Sequence, residues 1–305
     1  MADYLTFETL YTRGCEMIGD LQKSRIDEVK AVINMVYFEM LTCDDLFPLF
    51  WLLDFDDSLK SVAPGTITGI TAANPPVVTS AAHGLASGDL ISIYDVVGMT
   101  EVNNRVFVVL KVDANSYHLH DLDGADIDGS AFTAYTSGGT VLHRGKSLAT
   151  TGKPVQRILS ASWHGYTPPM EAITYQELEA STQWFDSSPA RPTKYHHAKR
   201  FTSAGVETNF LYWFNGADAV YQLRYWFIKR CSPLVNTTDV PEMPPWFHEG
   251  ILAGLVERLG ENKVQVEAGV IWPNKYAGYI DSMKKFNRKW WQENRPDPRS
   301  KPYMM

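Results

Sequence analysis

Four aspartates, Asp121, Asp123, Asp126 and Asp128, crowd into eight residues and invite a calcium reading. A calcium loop of the EF-hand kind needs oxygen ligands at alternating positions, a glycine at the sixth and a glutamate at the twelfth. Counted from Asp126, those two positions hold Ala131 and Ser137, so the pattern fails. Turn-forming aspartates between strands explain the cluster better. His83 lies in His83-Gly84-Leu85, a tight-turn context in which an imidazole bonds to backbone rather than serving as base or ligand. Tyr195-His196-His197 offers two imidazoles, but neighbours on a strand point to opposite faces and cannot easily share an ion. Ser162 and His164 have no acid partner or oxyanion hole in view. No phosphate-binding loop, H-E-x-x-H or nucleophile elbow occurs. The reading is a protein that is not an enzyme, with no catalytic residues, no metal and no cofactor.

Composition narrows the alternatives. Apolar residues make up 45% of the 305 and charged residues 21%, which is globular material enough for about two domains. The cysteines, Cys15, Cys43 and Cys231, are odd in number and form no C-x-x-C, as expected for reduced thiols in a cytosolic assembly compartment. The N-terminus lacks a basic region followed by an apolar stretch, so no signal peptide is expected. The longest apolar run, "LFPLFWLL", is short and holds Pro48, so no membrane span is expected. The net charge of -7 is unevenly spread. Residues 65–143 carry eight acids against Arg105 and Lys111, whereas 284–301 carries seven basic residues against Glu293 and Asp297. The acidic balance argues against tight phosphate-driven binding by the whole chain.

Two kinds of pattern must position these residues. Helical spacing governs 5–21 and 26–41; in the second, Ile26, Val29, Val32, Ile33, Val36, Tyr37, Met40 and Leu41 recur at steps of three and four. Ser24 reads as its N-cap, with Asp27 at the third helical position. A further helical or irregular apolar piece covers 46–53. From 65 to 143 the pattern changes to short alternating runs at 66–72, 76–81, 90–95, 105–112, 116–121 and 139–143, punctuated by Gly, Asn, Asp and Pro. That spacing predicts an inserted all-β small barrel or sandwich. Beyond it come a strand at 155–163, a helix from the capping box Thr174/Glu177 to about 182, strands at 194–201, 206–214 and 219–228, a helix over 246–259 after Pro244-Pro245, and a last helix from Pro273 to about Trp291. The fold class is α+β: residues 1–64 and 144–291 as a discontinuous core of helical bundle plus antiparallel sheet, 65–143 as the insert, and 292–305 as an extended tail too rich in proline and charge to fold alone. Insertion into a surface loop adds little closure entropy.

Three stretches of the outer portion carry a likeness: "SRIDEVKAVINMVYFEML", with Ile33-Asn34 and Tyr37; "VQRILSASWHGYTPPMEAITYQELE" followed by "SSPARPTKYHH"; and "AVYQLRYWFIKRCSPLVNTTDVPEMPPWFHEGILAGLVERL", with Val240-Pro241, His248 and Ala253-Gly254. Together they resemble the head-to-tail adaptor proteins of tailed bacteriophages, closest to short-tailed phage adaptors and tail tubular protein A. The insert, with His83-Gly84-Leu85, Gly88-Asp89, Gly98-Met99, Asn103 and Gly138-Gly139, resembles a domain of phage virion proteins related to the first catalytic-cysteine half-domain of ubiquitin-activating enzymes. Thioester chemistry does not carry over, because 65–143 contains no cysteine.

These resemblances imply a structural virion protein of the neck or tail region, assembled in the host cytoplasm. It would form a dodecameric ring, bind the portal protein and tail, nozzle or fibre proteins, and let genomic DNA pass without sequence-specific binding; no membrane is involved. Helices of 5–53 and 246–291 would pack side by side and against the portal, strands of 155–228 would face the tail, and the acidic insert would project outward. Lys284, Lys285, Arg288 and Lys289 read either as the wet face of a helix or as a docking surface; docking is favoured, with Met283, Phe286, Trp290 and Trp291 as apolar anchors and Arg295, Arg299 and Tyr303 continuing the contact in the tail. The competing reading is a receptor- or glycan-binding virion protein that works through the insert.

Overall fold

A computed structural model of the chain describes residues 4–20, 22–44, 48–174, 176–177, 188–201, 205, 207–259 and 271–294. Contacts group the chain into two compact units, Met1–Leu53 with Arg230–Met305, and Asp54–Lys229. The expected insert boundaries, 65 and 143, both fall inside the second unit.

The first unit is helical. Helix α1 spans Phe7–Met17 and is capped by Thr6, whose hydroxyl accepts from the Thr9 N–H at 3.3 Å. Helix α2 spans Ile26–Leu41, as its apolar spacing predicts. Its N-cap is Arg25, not Ser24. Ser24 and Arg25 instead give their N–H groups to the Asp20 carboxylate, at 3.0 and 2.7 Å. Helix α3 spans His248–Leu259 after a 3-10 turn at Pro245–Phe247, and α4 spans Ile271–Glu293. Helices α2 and α3 approach closely because α3 presents glycines. A Cβ at Gly254 would lie 2.6 Å from Val36 Cγ1, and one at Gly250 would lie 2.6 Å from Met40 Cε. Polar side chains on this frame hold the segment between 234 and 248. Asn34 both accepts from Leu234 N–H (2.7 Å) and donates to its carbonyl (3.0 Å), and Tyr37 Oη accepts from Glu242 N–H (3.0 Å). His248 is fully buried: its Nδ1 accepts from Leu5 N–H, so Nε2 carries the proton that goes to the Met243 carbonyl.

The second unit is built from strands. A three-stranded sheet runs β1 (Leu53–Asp56), β13 (Leu223–Lys229), β9 (Val155–Trp163). A larger sheet has the order β10 (Glu171–Ala172), β11 (Lys194–Phe201), β12 (Glu207–Trp213), β8 (Ser137–Ser147), β5 (Asp89–Val97), β6 (Arg105–Lys111), β7 (Ser116–His120), β4 (Val77–Thr79), β3 (Gly69–Ile70), with β2 (Gly65–Thr66) paired to β8. Its pairings are antiparallel except β10 with β11. Period-two alternation sets the burial: Ile91, Ile93, Phe107, Val109, Tyr117, Leu119 and Val141 share one core. Leu148, Trp163, Tyr195, Leu211, Trp213, Tyr225 and Phe227 share another.

The α+β class holds, and two finer expectations are corrected. Among the described residues the strands form no closed barrel, and β8 does not end with the insert. Gly145, Lys146 and Ser147 run on to pair with β12, Gly145 and Lys146 pairing with β5 on their other side, while earlier residues of β8 pair with β5 and β2. A sheet that continues through β8 has no reason to close on itself. Nor does a helical bundle form the core, since the strands bury two apolar clusters of their own. The apolar piece at 46–53 yields a 3-10 turn (Phe50–Leu52) leading into strand β1, and positions 46 and 47 lie outside the described residues.

Candidate docking surface

Along α4 the inward positions are Tyr276, Met283 and Asn287, the last two fully buried. Steps of three and four from these place Phe286 and Trp290 beside them, half out of the helix packing. Two short turns bring further rings to the same side. The turn at Phe50–Leu52 supplies Phe50 and Trp51; the turn at Pro245–Phe247, opened by proline in its first position, supplies Trp246 and Phe247. Phe50 stacks on Trp290 with centroids 4.7 Å apart and planes 6° from parallel. Phe286 sits among Phe50 (5.5 Å), Trp51 (6.4 Å), Trp246 (5.7 Å, edge-on) and Phe247 (6.0 Å). Trp291 meets Trp290 edge-on at 5.2 Å and donates its indole N–H to the Pro48 carbonyl at 2.8 Å.

Buried polar groups fix the geometry. Asn287 accepts from Phe50 N–H at 3.1 Å and donates to Asp44 at 3.3 Å. The same Asp44 carboxylate lies 3.5 Å from Arg288 Nε. Helix α4 and the 44–50 segment are thus joined by a carboxamide bridge, and the rings above it are held in place. The cluster is not covered: Trp246 is 53% exposed and Phe286 37%. Basic side chains border it. Lys289, one turn from Phe286 on the helix, pairs with Glu293 (3.8 Å), and Lys285 pairs with Asp281 (2.6 Å).

The expected anchors divide accordingly. Phe286, Arg288, Trp290 and Trp291 converge on this surface, with Trp291 tied inward by its hydrogen bond. Met283 is wholly buried by the chain's own packing and presents nothing outward. Arg295, Arg299 and Tyr303 lie outside the described residues. Phe50, Trp51, Trp246 and Phe247 were missed as site residues. Their signal is a pair of adjacent aromatics just after a proline, at Pro48 and again at Pro244-Pro245.

The residues that hinted at chemistry have structural partners. His83 Nδ1 accepts from Leu85 N–H (3.0 Å) and Nε2 meets the Asp113 carbonyl (3.1 Å), a turn clamp. Asp121 accepts from the N–H groups of Asp123 and Ala125, and Asp128 from Ser130, so these aspartates close turns. His196 meets the Ile173 carbonyl and His197 meets Asn209, two different partners. Among the described residues no group of three or more His, Cys, Asp or Glu side chains is arranged to hold a metal ion.

A buried polar strut that the sequence did not reveal crosses the larger sheet. Asp89 holds Lys146 at 2.7 Å and accepts from Ala86 N–H at 2.7 Å. His143 Nδ1 accepts from Val62 N–H and Nε2 gives its proton to the Gly145 carbonyl, each at 2.8 Å. Burial holds the His143 imidazole below the usual histidine range, against the smaller pull of Asp89. Arg144 is completely buried and donates to Ser92 Oγ (2.9 Å) and Tyr94 Oη (2.8 Å). Asn103 likewise closes both polar groups of Val96, at 3.0 and 2.9 Å.

His83, Gly88, Asp89, Gly98 and Asn103 are therefore turn and strut builders, and a family resemblance resting on them concerns shape. The family model described as the ubiquitin-activating enzyme E1 FCCH domain matches residues 73–144, a stretch that begins after β3 and ends within β8. No curated protein matches the chain.

Proposed function

We propose that this chain is a structural virion protein, a head-to-tail adaptor whose copies form a dodecameric ring between portal and tail and line the passage for genomic DNA. The observation that supports this most is the aromatic surface on α4. Seven rings packed on one side of a helical unit, with Trp246 and Phe286 open to solvent, suit docking on another protein. On this reading Trp246, Phe286 and Trp290 meet the portal protein, and the tail from 292 to 305 orders on the same partner, where apolar burial offsets its ordering entropy. The acidic insert projects outward toward fibre or nozzle proteins, and its charge keeps it off DNA. The site of action is the virion neck, after assembly in the host cytoplasm.

The test is co-sedimentation of the full chain with purified portal rings, viewed by negative stain. The double substitution Trp246→Ser with Phe286→Ser abolishes binding on this reading while leaving the far-ultraviolet circular dichroism unchanged. Unimpaired portal binding by that variant, and by a chain cut at 291, would overturn it.

The receptor- or glycan-binding alternative loses support from burial. The aromatics of the insert are turned inward: Tyr94, Phe107 and Tyr117 are buried, and Phe132 and Tyr135 pack partly against the same core. A glycan array separates the two readings.

A further inference from the structure

The chain runs on for eleven residues beyond the described ones, Arg295 to Met305. Its point of departure is fixed. Asn294 gives both its backbone N–H and its side-chain N–H to the Trp290 carbonyl, each at 2.9 Å, so α4 releases the tail within one turn of Trp290. From Trp290 a track of neighbouring rings leads away: Phe50 at 4.7 Å, then Phe286 at 5.5 Å from Phe50, then Trp246 at 5.7 Å from Phe286. The far end of this track, Phe286 and Trp246, is the part of the surface left open to solvent.

The tail has the composition that such a track takes. Pro296, Pro298 and Pro302 do not continue a helix, and each disfavours the helical conformation in the residue before it, so the sequence calls for an extended, polyproline-like path. A polyproline segment advances ~3.1 Å per residue, so the tail reaches roughly 34 Å, which exceeds the ring-to-ring steps of the track even after a reversal of direction. Segments of this kind dock on aromatic-lined surfaces with little conformational freedom to lose. The last three residues, Tyr303, Met304 and Met305, are a ring and two thioethers, and methionine sulfur packs favourably against aromatic rings. A segment tethered at the edge of the surface acts at an effective concentration on the order of millimolar, an advantage over any more dilute partner in solution.

We propose that residues 295–305 fold back along α4 and cover Phe286 and Trp246, so that the docking surface is masked by its own chain until a partner displaces the tail. This deepens the docking reading above and rests on it: the tail that orders on the portal in that reading first occupies the rings the portal needs. A partner then meets only the fraction of chains whose rings are open, and its apparent affinity falls by that fraction.

Limited proteolysis of the full chain tests the contact. Trypsin does not cut before proline, which protects the bonds after Arg295 and Lys301 and leaves the bond between Arg299 and Ser300 as the tail's cleavable site. Cleavage there is read by intact mass as loss of residues 300–305. When opening is fast relative to cutting, the rate follows the open fraction, so a tail docked about nine-tenths of the time is cut about tenfold more slowly than a free peptide of residues 292–305. Two variants of the full chain address the two sides: Tyr303→Ser with Met304→Ser and Met305→Ser, and Trp246→Ser with Phe286→Ser. Each is cut at the rate of its own free tail peptide, and circular dichroism checks that each folds. Wild-type cutting at the peptide rate overturns the contact. So does protection that survives either variant, or protection that fades on dilution, which marks a tail supplied by another copy. Portal capture separates this inference from the adaptor reading. A protected Arg299 in a chain that captures no portal sinks that reading and keeps the contact, whereas portal capture by a chain with an unprotected tail sinks only the contact.

Discussion

One aromatic cluster in each unit invites comparison, although the strand unit also exposes Phe201 and Trp226 and the helical unit also buries Tyr37 and Phe247. In the strand unit Trp163, Trp213, Tyr225 and Phe227 are wholly or almost wholly buried, and the Trp163 and Trp213 indoles donate to the carbonyls of Pro192 and His143. In the helical unit a comparable group gathers at the surface around Phe286, with Trp246 half exposed and Phe50 stacked openly on Trp290. Aromatic rings enclosed with satisfied polar tips stabilise a fold, while rings left open over a rigid base offer area to a partner. The contrast assigns stability to the first set and contact to the second, although composition alone treats them alike.

The sharpest way to break this contrast is to remove one tryptophan from each set. Trp213→Ala leaves a cavity between two sheets and removes one of two donors from the His143 carbonyl, which keeps Ala217 N–H, for a loss of about 3–5 kcal/mol in urea unfolding. Trp246→Ala changes unfolding free energy by less than about 1 kcal/mol, as surface substitutions do. Equal losses in the two variants would end the distinction. A somewhat smaller effect is expected at Gly98, whose φ of +92° is in the left-handed region and where a Cβ would lie 2.2 Å from the Ala134 carbonyl oxygen. Gly98→Ala lowers stability by about 1–3 kcal/mol, read from the urea midpoint, with the helical unit's tryptophan emission unaffected at low denaturant.

Asn287→Ala tests whether the aromatic surface depends on its polar base. Removing the carboxamide leaves Phe50 N–H and Asp44 short of a partner each, at a cost of about 1–3 kcal/mol. The expected signs are faster hydrogen exchange at the Phe50 amide and a red shift in tryptophan emission. Retention of both signals at wild-type values would show that ring packing alone orders the surface.

The smallest expected effect is the response to acid. Burial holds His197 at a pKa of about 4 and also lowers His143 and His248. Their folded-state values lie below the unfolded one of about 6.5, so the unfolded chain binds more protons as the pH falls. The stability these neutral imidazoles contribute is fully present above about pH 6.5 and is lost progressively toward pH 4. Urea midpoints at pH 7 and 5.5 should differ in that direction, and less so in His197→Gln. A midpoint that rises on acidification contradicts the assignment of neutral, buried imidazoles.

Much of the local structure was legible. The boundaries of α2, β9 and β11 follow from the sequence; in α2, steps of three and four bury one side of the helix. The capping box at Thr174 is present, with Thr174 N–H donating to Glu177 at 2.7 Å and Glu177 N–H to Thr174 Oγ1 at 3.2 Å. Ser24 failed as a cap because its hydroxyl donates to the charged Asp20 carboxylate (2.9 Å), which also takes the N–H groups of Ser24 and Arg25. Strand β1 was missed because Leu53–Asp56 is too short to show a period. The docking surface was only half legible: Phe286 and Trp290 recur on one helix, but Phe50 and Trp246 reach it through turns distant in sequence.

By itself the amino-acid order determined which segments coil or extend and where turns interrupt them. Those properties depend on neighbours a few residues apart. Only the tertiary structure decided that the sheet runs on through β8 and that Met283 turns inward while Phe286 stays partly exposed. Each depends on which surface meets which across many residues of chain, and the energy of that choice resides in pairs of side chains that local periodicity does not encode.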